Sequence, residues 1–459
     1  MIKIELKKIL NQVPEYKEFM TVAELNESSK KLVKDFDHIE LKEIGKSREG
    51  RSIYCLKIGE GKENAVLFGF PHPNEPIGSM SLEFLSRFLA ENPEFTKETG
   101  YTWYLIKAID IDGAVLNEGW FKGEFDPLKY AKNYYRCAPF DQVEWTFPTE
   151  YKKLKWDTPL PETQALMHLI SELKPTFMYS LHNSLGFGGV YFYVTRGVGN
   201  LFSDLVDFIK KEELPLHLGE PELVFRKTLS KAIFQNGGIQ EQYDFLEANG
   251  IEDPQEVIKT GTSSWDYLKS IAGEDNFTLV CEIPYFYHNS IEDISLTEFG
   301  RRDLHIQSLE YRKNIFKHSK KFFVHIKKFC DKSTLIYRAV EDFVRRTRSW
   351  LNFALNEAKT SSMYRGKATV AQAFDSNISS RYYFLADISM IARLYEEAIL
   401  IHPENEVEIV KTKKDLEKWI EQKIYELLSG IKYEIIPIQK LVRVQIGSAF
   451  ITLNNLLKK

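Results

Sequence analysis

Two architectures in succession are predicted: an α/β domain with a largely buried sheet, then an all-α helical bundle. Three observations lead there. Residues 1–300 alternate short apolar runs (AVLFGF, YTWYLIKAI, TFMYSLH, FTLVCEI) with helical patterns and glycine-rich turns, the pattern of a sheet covered by helices. Beyond residue 300 only three of the 25 glycines (Gly366, Gly430, Gly447) and two of the 17 prolines (Pro403, Pro437) remain. Charge turns over at the same place. Residues 301–459 hold 29 Lys and Arg against 18 Asp and Glu, a net of +11, so the overall charge of -4 leaves -15 on residues 1–300. The division is therefore read as a domain over 1–300 and a basic helical domain over 301–459.

Each strand-like run ends in a polar group. Residues 65–70 read as a buried strand that stops at Pro71-His72-Pro73-Asn74-Glu75-Pro76, ahead of the amphipathic segment SMSLEFLSRFLAEN. Ligand-type side chains thus sit on a strand-to-helix turn, where open α/β sheets form their sites. The run YTWYLIKAI is followed by Asp110-Ile111-Asp112-Gly113, which lacks the later ligands of a calcium loop and reads as a turn. Residues 176–181 end in His182-Asn183-Ser184 and the glycine-rich turn at 186–189, and residues 278–281 deliver Glu282. A carboxylate at the end of an apolar strand is costly to bury without a partner.

In the second half, STLIYRAVEDFVRRTRSWLNFALNEA spaces Ile336, Val340, Phe343, Val344, Leu351 and Leu355 along one helical face, with Arg345, Arg346 and Arg348 between them. LHIQSLEYRKNIFKHSKKFFVHIKKF and KKDLEKWIEQKIYELLSG repeat the pattern, so several helices are expected to bundle. Lysines 317, 320, 321, 327 and 328 with phenylalanines 322, 323 and 329 would suit a polyanion or an anionic membrane. The simpler reading is a solvated lysine face on a bundle that docks on its acidic neighbour, and nucleic acid is not the expected partner.

Composition removes other classes. At 43% hydrophobic and 27% charged, the chain is neither disordered nor collagenous, and no run approaches the roughly 18 apolar residues of a membrane span. The start MIKIELKKILNQVPEYKEF has no signal-peptide pattern, so a cytoplasmic location is the expectation. Cys55, Cys137, Cys281 and Cys330 form no CxxC pair and read as packed, reduced thiols.

His72 and Glu75, three apart on a turn, can reach one cation from the same side. A distant histidine completes a set that suits Zn2+ and leaves one position open. A second carboxylate that does not ligate could then take a proton from water, which is the parts list of a metallohydrolase.

The sequence resembles the M14 zinc carboxypeptidase family, the carboxypeptidase A-like metallopeptidases. IGKSREGRSIYCLKIG looks like the stretch before the family's first metal-binding strand, and GFPHPNEPIG like its His-x-x-Glu segment. SLHN is similar to the strand bearing the third ligand, and GTSSWDY followed by TLVCEIPYF to the turn and strand of the catalytic glutamate. The resemblance runs from about residue 40 to about 300. It implies a mixed sheet sandwiched between helices and one zinc ion on His72, Glu75 and His182. It further implies Glu282 as general base and then acid, and Arg136 as the group that polarises the scissile carbonyl. A peptide or peptide-like small substrate follows, in a zinc-dependent amide hydrolase of metallocarboxypeptidase type.

Two departures concern substrate recognition. Where classical members carry an Asn-Arg pair for the substrate's terminal carboxylate, this chain reads Gln142-Val143-Glu144-Trp145-Thr146-Phe147-Pro148, and Glu144 there is expected to repel a carboxylate. A tyrosine common eight residues before the aspartate of the small-residue turn is replaced by Ile258. Hydrolysis is thus expected with altered recognition of the substrate terminus. Two other readings compete: an aspartoacylase or succinylglutamate desuccinylase-like deacylase of N-acyl amino acids, and a scaffold protein acting through its basic helices.

Overall fold

The computed structural model describes residues 5–184 and 186–458; the first four residues of the segment read for a signal peptide lie outside it. Nine strands form one mixed sheet: β1 (Ile39–Lys46), β2 (Ser52–Ile58), β3 (Glu63–Phe68), β4 (Tyr101–Ile106), β5 (Phe177–Leu181), β6 (Tyr191–Val194), β7 (Thr228–Ser230), β8 (Ile233–Gln235) and β9 (Phe277–Glu282). Their order is β1-β2-β4-β3-β5-β9-β6-β8-β7. The central strands β4, β3, β5 and β9 run parallel, flanked by β2, antiparallel to β4, and by β6, antiparallel to β9. Strands β5, β6 and β9 are buried at every position, as a sheet covered on both faces requires.

Strand alternation shows where the two helical layers lie. Tyr179 in β5 reaches Gln445 of the helix Ile438–Leu456, whereas Ser180, one residue on, reaches Glu144, which is bonded to the start of the helix Ser264–Ala272. One face is covered by α1 (Ile77–Glu91), α3 (Leu201–Lys211) and α8 (Ile438–Leu456), the other by α2 (Pro161–Leu173) and the helix at 264–272. The sandwiched mixed sheet matches the expected fold class.

The basic region folds as α4 (Arg301–Ile326), α5 (Leu335–Thr360), α6 (Ser380–Ile401) and α7 (Glu406–Leu428), packed on one another. Phe323 is buried inside this bundle while the lysine side faces outward. The bundle docks on the α/β half through ion pairs: Arg301 with Glu220, Arg338 with Asp141 at 2.7 Å and Lys132 with Glu421 at 2.8 Å. One helix of the segment beyond residue 300 belongs elsewhere, because α8 lies on the sheet, with Phe450 against Trp103 and Phe88. No described helix is long and apolar enough to cross a membrane. The four cysteines are free, three of them buried.

Glycine is required where α1 meets the sheet. A Cβ on Gly69 would stand 2.7 Å from the backbone nitrogen of Ser79, and one on Gly78 would stand 2.6 Å from Leu181. Phe70, between strand β3 and His72, is held at φ 51°. A non-glycine in that region stores about 1–3 kcal/mol, which the surrounding packing must offset.

Candidate active site

Three strand ends converge. His72 and Glu75 lie on the turn after β3, His182 follows β5, and Glu282 closes β9, which pairs with β5 in parallel register. Asn183 ties the ends together: its Oδ1 accepts from Ile77 N at 3.3 Å and its Nδ2 donates to the Ile283 carbonyl at 3.2 Å. Gln445 of α8 bridges from beneath, donating to the carbonyls of His182 at 2.6 Å and Cys281 at 3.1 Å.

The side chains predicted from sequence meet. His72 Nδ1 is 2.9 Å from Glu75 Oε1, and His182 Nδ1 is 3.0 Å from Glu75 Oε2 and 3.7 Å from Glu282 Oε1. Ligand atoms of His72, Glu75 and His182 all lie within 4.8 Å of one another, so one divalent ion could be held among them. Arg136 donates from Nη1 to Glu75 Oε1 at 2.9 Å and to Asn74 Oδ1 at 3.0 Å. Tyr383 of α6 bonds Tyr134 at 3.1 Å, and Met390 of α6 touches the Arg136 backbone, so the bundle flanks this side of the site.

The donor set suits a metal. His182 Nδ1 and Glu75 Oε2, both buried, make no hydrogen bond despite their proximity, and His72 Nε2 has no partner either. Buried atoms of this kind normally find one. Two imidazoles and a carboxylate are also the ligand types zinc takes in sites that keep an open position.

The electrostatics ask for positive charge. Burial lowers His72 to about 3, so this ring is neutral and free to donate a lone pair. Burial also works against a proton on His182, but Glu75 and Glu282 outweigh it and raise this group to about 9. Burial pushes Glu282 well above the usual carboxylate range, against the pull of His182. A carboxyl so displaced, 3.7 Å from His182 Nδ1, is placed to exchange protons rather than to pair permanently.

The departures have concrete outcomes. Glu144 does not face a substrate terminus as expected; it is fully buried and bonded to Ser264 and Ser180. Ile258 sits in a small apolar cluster with Leu154, Ile239, Tyr243 and Leu246. Asp110 caps the short helix Ile111–Val115, and Asp112 accepts from Ser47 and the Glu49 backbone, so this pair serves the scaffold. A cavity of about 320 Å³ opens beside the site between the two halves, lined by Ser184, Tyr191 and Glu222 on one side and Arg312, Trp350 and Asp375 on the other. Tyr191 stands opposite Glu282 in the sheet register.

Residues 25–194 match the model of the zinc carboxypeptidases, peptidase family M14. It is the M14 zinc carboxypeptidases that this chain resembles. The matched segment contains His72, Glu75, Arg136 and His182 and stops before Glu282. Similar solved structures include carboxypeptidase A of Helicoverpa armigera, at TM-score 0.40 and 14% identity over 62% of this chain and 72% of that one. Others are bovine thrombin-activatable fibrinolysis inhibitor, at 0.36 and 11% over 58% and 87%, and a candidate metallopeptidase of Shewanella amazonensis, at 0.39 and 14% over 57% and 84%. No curated protein matches the chain.

Proposed function

We infer that the chain is a zinc-dependent hydrolase of an amide or peptide bond, carboxypeptidase-like in its chemistry but not in its grip on the substrate terminus. The observation that carries this reading is the meeting of His72, Glu75 and His182, with Glu282 3.7 Å from His182 and Arg136 on the other side. His72, Glu75 and His182 would hold one zinc ion. Zinc so held supplies a Lewis acid that polarises a carbonyl and brings the acidity of water near neutral pH.

The residues do the remainder. Glu282 accepts a proton from the attacking water, and its raised proton affinity suits the return of that proton to the leaving amine. Arg136, anchored on Glu75 and Asn74, stabilises negative charge developing on the carbonyl oxygen. Asn183 and Gln445 keep the strand ends in register while this happens. With the Asn-Arg pair absent and Glu144 turned inward, a free terminal carboxylate has no clamp at its usual place, and the cavity beside Tyr191 is where the substrate's distal part would lie.

Glu282→Gln tests the scheme. Zinc content should stay at the wild-type level while hydrolysis of short peptides falls by about 10²–10⁴-fold. Wild-type turnover in this variant would remove the base, and an absence of zinc in the purified wild type would remove the whole reading.

A further inference from the structure

Glu144 is the buried acid that the hydrolytic scheme leaves without a task. Its side chain is fully enclosed, and no described lysine or arginine pairs with it. Burial raises its carboxyl to about 6. Enclosing a carboxylate without a cation is expensive, so its bonds indicate what the position is for. Oε1 accepts from the Ser264 hydroxyl at 2.6 Å and the Ser264 backbone N–H at 3.1 Å, and Oε2 accepts from the Ser180 hydroxyl at 3.4 Å.

Ser180 continues the chain. Two residues before His182, it lies on the same side of the extended strand, and its Oγ is 2.9 Å from His182 Nε2. A hydroxyl that gives its proton to Glu144 offers the ring only lone pairs, an arrangement in which His182 Nε2 is the donor. In the neutral ring that a bound cation would require, Nδ1 then carries no proton, and Nδ1 is the unpartnered atom that faces Glu75. A ligand histidine whose outer nitrogen donates to a fixed acceptor is held in the tautomer and ring orientation a metal needs.

We propose that Glu144 and Ser180 are positioning residues, a Glu144–Ser180–His182 relay that aims His182 Nδ1 at a divalent cation and is anchored on the small-residue turn by Ser264. This rests on the metal reading of the His72–Glu75–His182 cluster. It also gives the segment at 142–148 a second use. The acid that stands where classical members carry a substrate clamp lies on the sheet face opposite α8 and supports a ligand instead.

The test is zinc affinity of the full chain by chelator competition at pH 7, for wild type, Ser180→Ala, Glu144→Gln and the double variant, with thermal unfolding of each metal-free protein as the control for folding. Ser180→Ala should bind zinc about 10–100-fold more weakly. Glu144→Gln, which keeps an amide oxygen for one serine, should lose less. The double variant should be no weaker than Ser180→Ala alone, because a broken relay cannot be broken again. Cobalt(II) substituted for zinc should give a shifted visible spectrum in Ser180→Ala, which a loss of general stability would not produce. Wild-type affinity and an unchanged cobalt spectrum in Ser180→Ala would overturn the relay and leave the metal site standing, as would additive losses in the double variant. A wild type that binds no zinc would overturn both. Should Ser180→Ala fail to fold, Glu144→Gln decides, and wild-type affinity there overturns the relay.

Discussion

The α/β half buries two acid-rich clusters, and they differ in kind. In one, Arg48 serves Asp110 at 3.2 Å, Glu162 at 3.1 Å and Asp141 at 3.5 Å, with 15% of its side chain exposed. In the other, Glu75 and Glu282 meet His72, His182 and Arg136. Both contain buried carboxylate oxygens without a hydrogen bond, such as Asp110 Oδ2 and Glu162 Oε2 in the first and Glu75 Oε2 in the second. Burial and an unmatched oxygen therefore do not identify a site. The discriminating atoms are two imidazole nitrogens, His72 Nε2 and His182 Nδ1, which are buried and make no hydrogen bond. A guanidinium at the centre neutralises acids but leaves nothing to coordinate.

That contrast can be broken by substitution. The largest effect is expected at His182→Ala, where zinc retained after dialysis should fall to trace levels by elemental analysis; a variant that keeps its zinc would place the ligands elsewhere. Next comes Arg48→Met, which leaves Asp110 and Glu162 enclosed without their cation while Asp141 keeps Arg338. It should cost about 3–5 kcal/mol in urea unfolding while zinc affinity of the folded protein stays unchanged. A parallel loss of zinc binding would mean that the two clusters are one unit. The smallest effect belongs to a group outside both. His305 in α4, stacked on Tyr364, is lowered to about 4 by burial, with Arg312 and Arg301 adding to the shift. Its folded form resists a proton that the unfolded chain accepts near 6.5, so stability is lost as pH falls from about 6.5 to about 4. His305→Gln should escape about 1–2 kcal/mol of that loss, read as a flatter dependence of denaturant midpoint on pH.

Much of this was legible in the sequence because the relevant signals are local. Apolar runs ending in His72, His182 and Glu282 mark strands whose last residues leave the core, and a parallel sheet brings such ends to one edge. Helices over 301–326, 335–360 and 406–428 followed from apolar spacing. What stayed hidden depends on direction or distance. The sequence does not say whether Glu144 points outward or inward, and Ser264, which turns it inward, is 120 residues away. Ser180 looked like one more strand residue. The helix at 438–456 carries the apolar pattern of the bundle, and only its packing places it on the sheet.

Gln445 binds the carbonyls of His182 and Cys281, so the two strands that end at His182 and Glu282 are pinned together by a residue made 263 positions after the first of them. A ribosome therefore releases the matched segment at 25–194 long before the geometry of these strand ends can be locked. On the proposed reading, hydrolysis should appear late in synthesis, only after α8 has emerged.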